Sequence, residues 1–143
     1  EIRNPIGECN PCGAGYYTNA QSWSQGVDPA KEICHACPQA TFANAIGSTQ
    51  CSDCDAGKSS ARGSVSCIPC SNGSSSGLGE PCIPCKPGSY APSGGMGSCT
   101  LAPRGSFVNH NGAITYSNCE HGSVASSPGS SQCVQCMPGE FAN

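Results

Sequence analysis

The chain has 143 residues, including 14 Cys, 19 Gly and 12 Pro, with a formal net charge of −3. Leu, Ile, Val and Phe together number 17, too few for an ordinary packed core, and charged residues make up only 10%, unlike a disordered polyelectrolyte. The 6 Lys and Arg form no basic stripe for nucleic acid, and no apolar run reaches the length of about 18 residues that a bilayer span requires.

Six Cys-x-x-Cys pairs punctuate the chain, at Cys9/Cys12, Cys34/Cys37, Cys51/Cys54, Cys67/Cys70, Cys82/Cys85 and Cys133/Cys136. Two half-pairs keep the register between the last two: Cys99 with Ala102, and Tyr116 with Cys119. The repeat units therefore start near positions 9, 34, 51, 67, 82, 99, 116 and 133, and the whole of 1–143 reads as one tandem array.

The first unit carries an insertion between Cys12 and Cys34, which holds the only Trp, Trp23, and the string Asp28-Pro29-Ala30-Lys31-Glu32. Asp as N-cap with Pro at the first helical position predicts one helical turn there. Trp23, a large ring in an irregular insertion, is the candidate contact with another chain or domain.

From the second unit onward the units are spaced 15 to 17 residues apart. A Gly follows the second Cys position by three residues at Gly15, Gly57, Gly73, Gly88, Gly105, Gly122 and Gly139, with Ala40 the one departure. Two residues later stand Tyr17, Phe42, Tyr90, Phe107 and Phe141, with Ser59, Ser75 and Val124 in the other units. A second Gly precedes the next unit by four residues at Gly47, Gly63, Gly95, Gly112 and Gly129. The first Gly supplies a positive φ as the chain leaves the cystine, and the second turns it back. The ring can lie over a disulfide. The predicted fold is small and disulfide-rich: an elongated rod of tandem, short β-hairpin-like repeats with little regular secondary structure. No unit is large enough to bury its own face, so each stacks on its neighbours.

The half-pairs bear on connectivity. If the second Cys of each unit bonds the first Cys of the next, the bridges are Cys12–Cys34, Cys37–Cys51, Cys54–Cys67, Cys70–Cys82, Cys85–Cys99 and Cys119–Cys133. Ala102 and Tyr116 are then the two ends of one deleted bridge, and Cys9 and Cys136 pair with units beyond the ends. The rival scheme joins alternate partners, Cys34–Cys51 with Cys37–Cys54 and Cys67–Cys82 with Cys70–Cys85. It requires an improvised Cys99–Cys119 bond and leaves four dangling ends. Spacing alone leaves both schemes open.

The stretch from Cys85-Lys86-Pro87-Gly88-Ser89-Tyr90 to Cys99, and Cys136-Met137-Pro138-Gly139-Glu140-Phe141, resemble the cysteine-rich repeats of ephrin-type and tumour-necrosis-factor-receptor-like modules, grouped with EGF-like repeats. Cys37-Pro38-Gln39-Ala40-Thr41-Phe42 is similar apart from its missing Gly. The resemblance implies that the Cys before Pro-x-Gly-x-Tyr bonds the next Cys, which is the first of the two schemes. It covers nearly the whole chain and is specific for repeat type. Such repeats occur in receptors, matrix proteins and surface coats, so function does not follow from them.

Other chemistries fit less well. Cys34/Cys37/Cys51/Cys54 and Cys67/Cys70/Cys82/Cys85 could each form a four-sulfur zinc site, but the half-pairs would leave a ruined one. Cys34-His35-Ala36-Cys37 lacks the βαβ setting of a redox pair. His35, His110 and His121 lie far apart in sequence, the acids show no Ca²⁺-loop spacing, and no nucleophile–base set stands out. The chain is expected to be no enzyme and to hold no cofactor.

Asn72-Gly73-Ser74 is the sole N-x-S/T acceptor and lies in a polar loop, which makes Asn72 the candidate glycosylation site; Ser74–Ser76 and Ser126–Ser131 are candidates for O-glycans. Such cysteine density implies an oxidising, extracellular or cell-surface location and a mature segment of a longer secreted protein. The expected role is a structural repeat segment of an extracellular filament, appendage or coat. It would self-assemble or bind another extracellular protein through its repeat faces. The alternative is a ligand-binding module of a receptor ectodomain.

Overall fold

The computed structural model describes residues 2–3, 9–18 and 34–140. Trp23, the expected helical turn at 28–32 and Phe141 lie outside the described residues.

Each unit contributes half of a hairpin to each neighbour. The two residues after the first Gly pair antiparallel with the two inner residues of the next Cys-x-x-Cys. Tyr16–Tyr17 thus pairs with His35–Ala36, and Thr41–Phe42 with Ser52–Asp53. The same register recurs as Lys58–Ser59 with Ile68–Pro69, Ser74–Ser75 with Ile83–Pro84, and Ser89–Tyr90 with Thr100–Leu101. It continues as Ser106–Phe107 with Ser117–Asn118 and Ser123–Val124 with Val134–Gln135; Ile2–Arg3 pairs with Cys9–Asn10 at the other end. Two-residue strands are far too short to be stable alone, so the hairpins depend on what ties them together.

One tie is covalent. Disulfides join Cys12 to Cys34, Cys37 to Cys51, Cys54 to Cys67, Cys70 to Cys82, Cys85 to Cys99 and Cys119 to Cys133. Closing a loop of roughly 15 residues contributes about 3 kcal/mol in the chain-entropy account. Cys136 has no disulfide partner among the described residues.

The second tie is a backbone ladder in a constant register. The amide of the second Cys donates to the first Gly of the preceding unit, as in Cys70 N–H to Gly57 O and Cys85 N–H to Gly73 O, both 2.8 Å. The first Gly donates forward, as in Gly73 N–H to Ala91 O and Gly88 N–H to Val108 O. The second Gly donates back to the second Cys of the unit before, as in Gly95 N–H to Cys70 O and Gly112 N–H to Cys85 O. These bonds satisfy backbone groups that have no sheet interior to pair with.

A third contact links units two apart. The first Gly of one unit lies against the carbonyl of a second Gly two units on. A Cβ at Gly57 would stand 2.0 Å from Gly95 O, and one at Gly73 2.2 Å from Gly112 O. Gly88 meets Gly129 O at 2.1 Å and Gly15 meets Gly63 O at 2.2 Å by the same measure. These glycines are therefore required twice, for positive φ and for close approach of backbone to backbone. Ala40 is the only described non-glycine residue with positive φ, at 64°. Its counterpart two units on is Gly79, which stands three residues rather than four before the next unit, in the loop closed by the shortest bridge, with a sequence separation of 12. The one Ala at this position thus coincides with the one shortened partner loop. Gly79 also has positive φ, so it performs the second-Gly turn that the four-residue spacing misses in this unit.

The interior is built from sulfur and small side chains. Cys12, Cys37, Cys54, Cys70 and Cys85 are buried, as are Ala43, Ser60, Ser76, Ala91 and Ala125 three residues after the first Gly position. No helix among the described residues is long and apolar enough to cross a membrane.

Candidate interaction surface

The deleted bridge is where the array departs most from its own rule. Ala102 occupies the second-Cys position and is 0% exposed, as deeply buried as the half-cystines it replaces. Tyr116 occupies the first-Cys position of the next unit and turns its ring edge-on to Tyr90, with centroids 5.3 Å apart and planes at 68°. Ala102, Val108 and Ala113 form a buried apolar cluster with Tyr90 packed against it. Val108 is the largest residue at a position held elsewhere by Ala, Ser or Thr, and Ala113 stands where Ser48, Ser64 and Ser130 stand in other units. Apolar contact has taken over from the covalent link. The backbone ladder does not register the change: Ala102 N–H still donates to Gly88 O, Gly129 N–H to Ala102 O and Cys119 N–H to Gly105 O.

A second departure lies in the middle of the array and concerns its surface. Facing residues exchange bulk across five of the described hairpins, whereas Tyr17 faces His35 and Val124 faces Val134. Where the ring position holds an aromatic, the facing residue is small or polar: Phe42 with Ser52, Tyr90 with Thr100, Phe107 with Ser117. Where the ring position holds Ser, the facing residue is Ile: Ser59 with Ile68, and Ser75 with Ile83. The Ser side is buried in both pairs, and the Ile side is outside, with Ile68 68% and Ile83 54% exposed. Pro69 and Pro84 follow them directly, and Leu101 and Val134 are exposed on later Cys-x-x-Cys segments. Val65, Leu78 and Ile114 are exposed in the connecting loops. Its sequence signal is Ile at the first inner position of Cys-x-x-Cys in the units that follow those with Ser59 and Ser75.

The other candidate residues lie apart from one another. Asn72 is exposed in a turn, and Gly94 is close enough that a Cβ there would lie 3.5 Å from its Oδ1. His35 faces Tyr17 with ring centroids 5.6 Å apart. His110 and His121 are exposed, and His121 lines an open groove of about 560 Å³ with Arg104, Gly105 and Val124. Among the described residues no group of His, Cys, Asp or Glu is placed to hold a metal ion. Each sulfur of the two four-cysteine sets is bonded to another sulfur in a disulfide.

Comparison with known proteins agrees with this architecture. Residues 73–119 match the family model described as tyrosine-protein kinase ephrin type A/B receptor-like. The chain is 30% identical over 145 residues to human signal peptide, CUB and EGF-like domain-containing protein 2, covering 95% of the chain and 12% of that protein. It is 31% identical to the mouse protein of the same name, with the same coverage. The chain thus spans about an eighth of the length of the curated relatives it matches. It is an extracellular module built of cysteine-rich repeats of the EGF-like and receptor-like kind.

Proposed function

We propose that the chain is a structural repeat segment: one tandem array within a longer extracellular protein, assembling into a filament, appendage or coat through its repeat faces. The observation that carries this reading is the pair of exposed isoleucines at one repeat position. Ile68 and Ile83 hold equivalent positions on consecutive units, and both expose a large side chain to solvent. Repeated exposed apolar groups on a braced scaffold suit lateral packing against a like surface better than capture of a small ligand. The reading includes no catalysis. Asn72 carries an N-glycan in it, and Trp23 in the inserted first unit contacts a neighbouring chain or domain.

The second reading is a ligand-binding module of a receptor ectodomain, favoured by the match of residues 73–119 to a receptor family. Electron microscopy of purified, oxidised protein separates the two. Assemblies that dissolve in the double substitution Ile68→Ser/Ile83→Ser support the structural role. Isolated short particles at every concentration contradict it.

A further inference from the structure

The bridges divide the chain into two topological classes of peptide bond. A cut inside a disulfide-closed loop leaves the two ends tethered. A cut between loops parts the chain. The longest stretch between loops, among the residues that the bridges enclose, runs from Cys99 to Cys119, because the Ala102–Tyr116 position has no bridge. Elsewhere only the two inner residues of each Cys-x-x-Cys lie between loops.

The basic residues are distributed unevenly over these classes. Lys31, Lys58, Arg62 and Lys86 lie inside closed loops, and Arg3 precedes the first bridge. Arg104 alone lies between bridges. Its side chain is exposed, at the rim of the open groove it shares with His121. Gly105 follows it, so no proline ring obstructs the bond. What holds this segment closed is the cluster of Ala102, Val108 and Ala113, the Tyr90–Tyr116 ring contact, the pairing of Ser106–Phe107 with Ser117–Asn118, and the backbone ladder, including Gly105 N–H to Ala125 O at 2.9 Å. Local opening without reduction therefore needs only apolar contacts and backbone bonds to break here, whereas every other complete loop is also restrained by sulfur.

We propose that the sixth unit is a proteolytic release site, cleaved after Arg104 by a serine protease with an acidic primary-specificity pocket. Hydrolysis adds one water across the Arg104–Gly105 amide, leaving a carboxylate on Arg104 and an amine on Gly105. No electron is exchanged, and all six bridges stay oxidised. No covalent link then joins the residues up to Arg104 to those beyond it, so the two parts come apart once the backbone ladder is denatured, each keeping its own closed loops.

Limited digestion of the whole oxidised protein with trypsin, read by non-reducing gel and intact mass, tests this. The expected result is two separated fragments, with cleavage after Arg104 at least about tenfold faster than after Lys58 or Arg62, since cutting follows the population of the open form. Arg104→Gln is expected to stay in one piece without reductant. Ala102→Cys/Tyr116→Cys, once alkylation shows the new thiols to be oxidised, is expected to slow the cut by at least about tenfold and to hold the fragments together. Earlier cutting at Lys58 or Arg62, or fragments of the unaltered protein that remain joined without reductant, overturns the proposal. If the double substitution does not oxidise, Arg104→Gln still decides it, because fragments released from that variant at the same rate also overturn it.

Discussion

Tyr116 lies edge-on to Tyr90 at 5.3 Å where every neighbouring unit places a half-cystine. Ala102, which holds the partner position in the bridging scheme, is fully buried within the cluster that Tyr90 packs against. A T-shaped pair contributes about 0.5–1.5 kcal/mol beyond the area it buries. A double-mutant cycle on Tyr90→Ala and Tyr116→Ala, measured by denaturant unfolding of the oxidised protein, is expected to give a coupling of about 1 kcal/mol. Additive losses would show that the rings do not support each other.

The glycine contacts predict a difference between the first and the second Gly of the repeat. Gly57→Ala and Gly73→Ala drive a methyl into the carbonyls of Gly95 and Gly112, and the backbone on both sides must move. Gly95→Ala and Gly112→Ala share the positive φ but meet at closest only the Cβ atoms of Pro69 and Pro84, at 3.7 and 3.8 Å, an ordinary van der Waals distance. The latter pair should cost only the left-handed strain, about 1–2 kcal/mol. The former pair should cost at least about 2 kcal/mol more. Thermal unfolding of the four variants checks the order, and equal losses would argue against the two-unit contact.

Restoring the missing bridge should stabilise the sixth unit. Ala102→Cys/Tyr116→Cys closes a loop of the same length class as its neighbours, for about 3 kcal/mol less the lost ring contact, or roughly 2 kcal/mol net. Hydrogen exchange at the Val108 and Ala113 amides reads this directly, with slower exchange in the oxidised variant than in the parent. Unchanged exchange would show that the cluster already closes the loop as firmly as sulfur does.

An occupied Asn72 predicts a mass loss on treatment with an endoglycosidase and its absence in Asn72→Gln. The side chain is exposed at a turn, so the substitution should leave stability within about 0.5 kcal/mol of the parent. A protein from a secreting eukaryotic host that shows no such loss would remove the glycan from the proposed function.

The repeat was legible in the sequence because one backbone geometry imposes one residue type. Cys-x-x-Cys marks where hairpins meet, and Gly at positions such as Gly88 and Gly95 marks positive φ. The hairpins, their short strands and the units they define follow from that spacing. The contact between Gly57 and Gly95 was not legible, since a backbone carbonyl two units away leaves no side-chain signature. The role of Gly79 was hidden by a loop one residue shorter than the pattern. The exchange of bulk between Ser59 and Ile68 needs the strand register before it has meaning. The cluster around Ala102 is built of Ala, Val and Tyr, which taken singly resemble ordinary surface residues.

The account rests on consecutive units being joined second Cys to first, with sulfur in place of an apolar core. Peptide mapping of the oxidised protein, digested without reductant and with free thiols blocked, tests it most directly. Linked peptides joining Cys37 to Cys51, Cys54 to Cys67 and Cys70 to Cys82 are the expected result. A peptide joining Cys37 to Cys54, or Cys99 to Cys119, would contradict it.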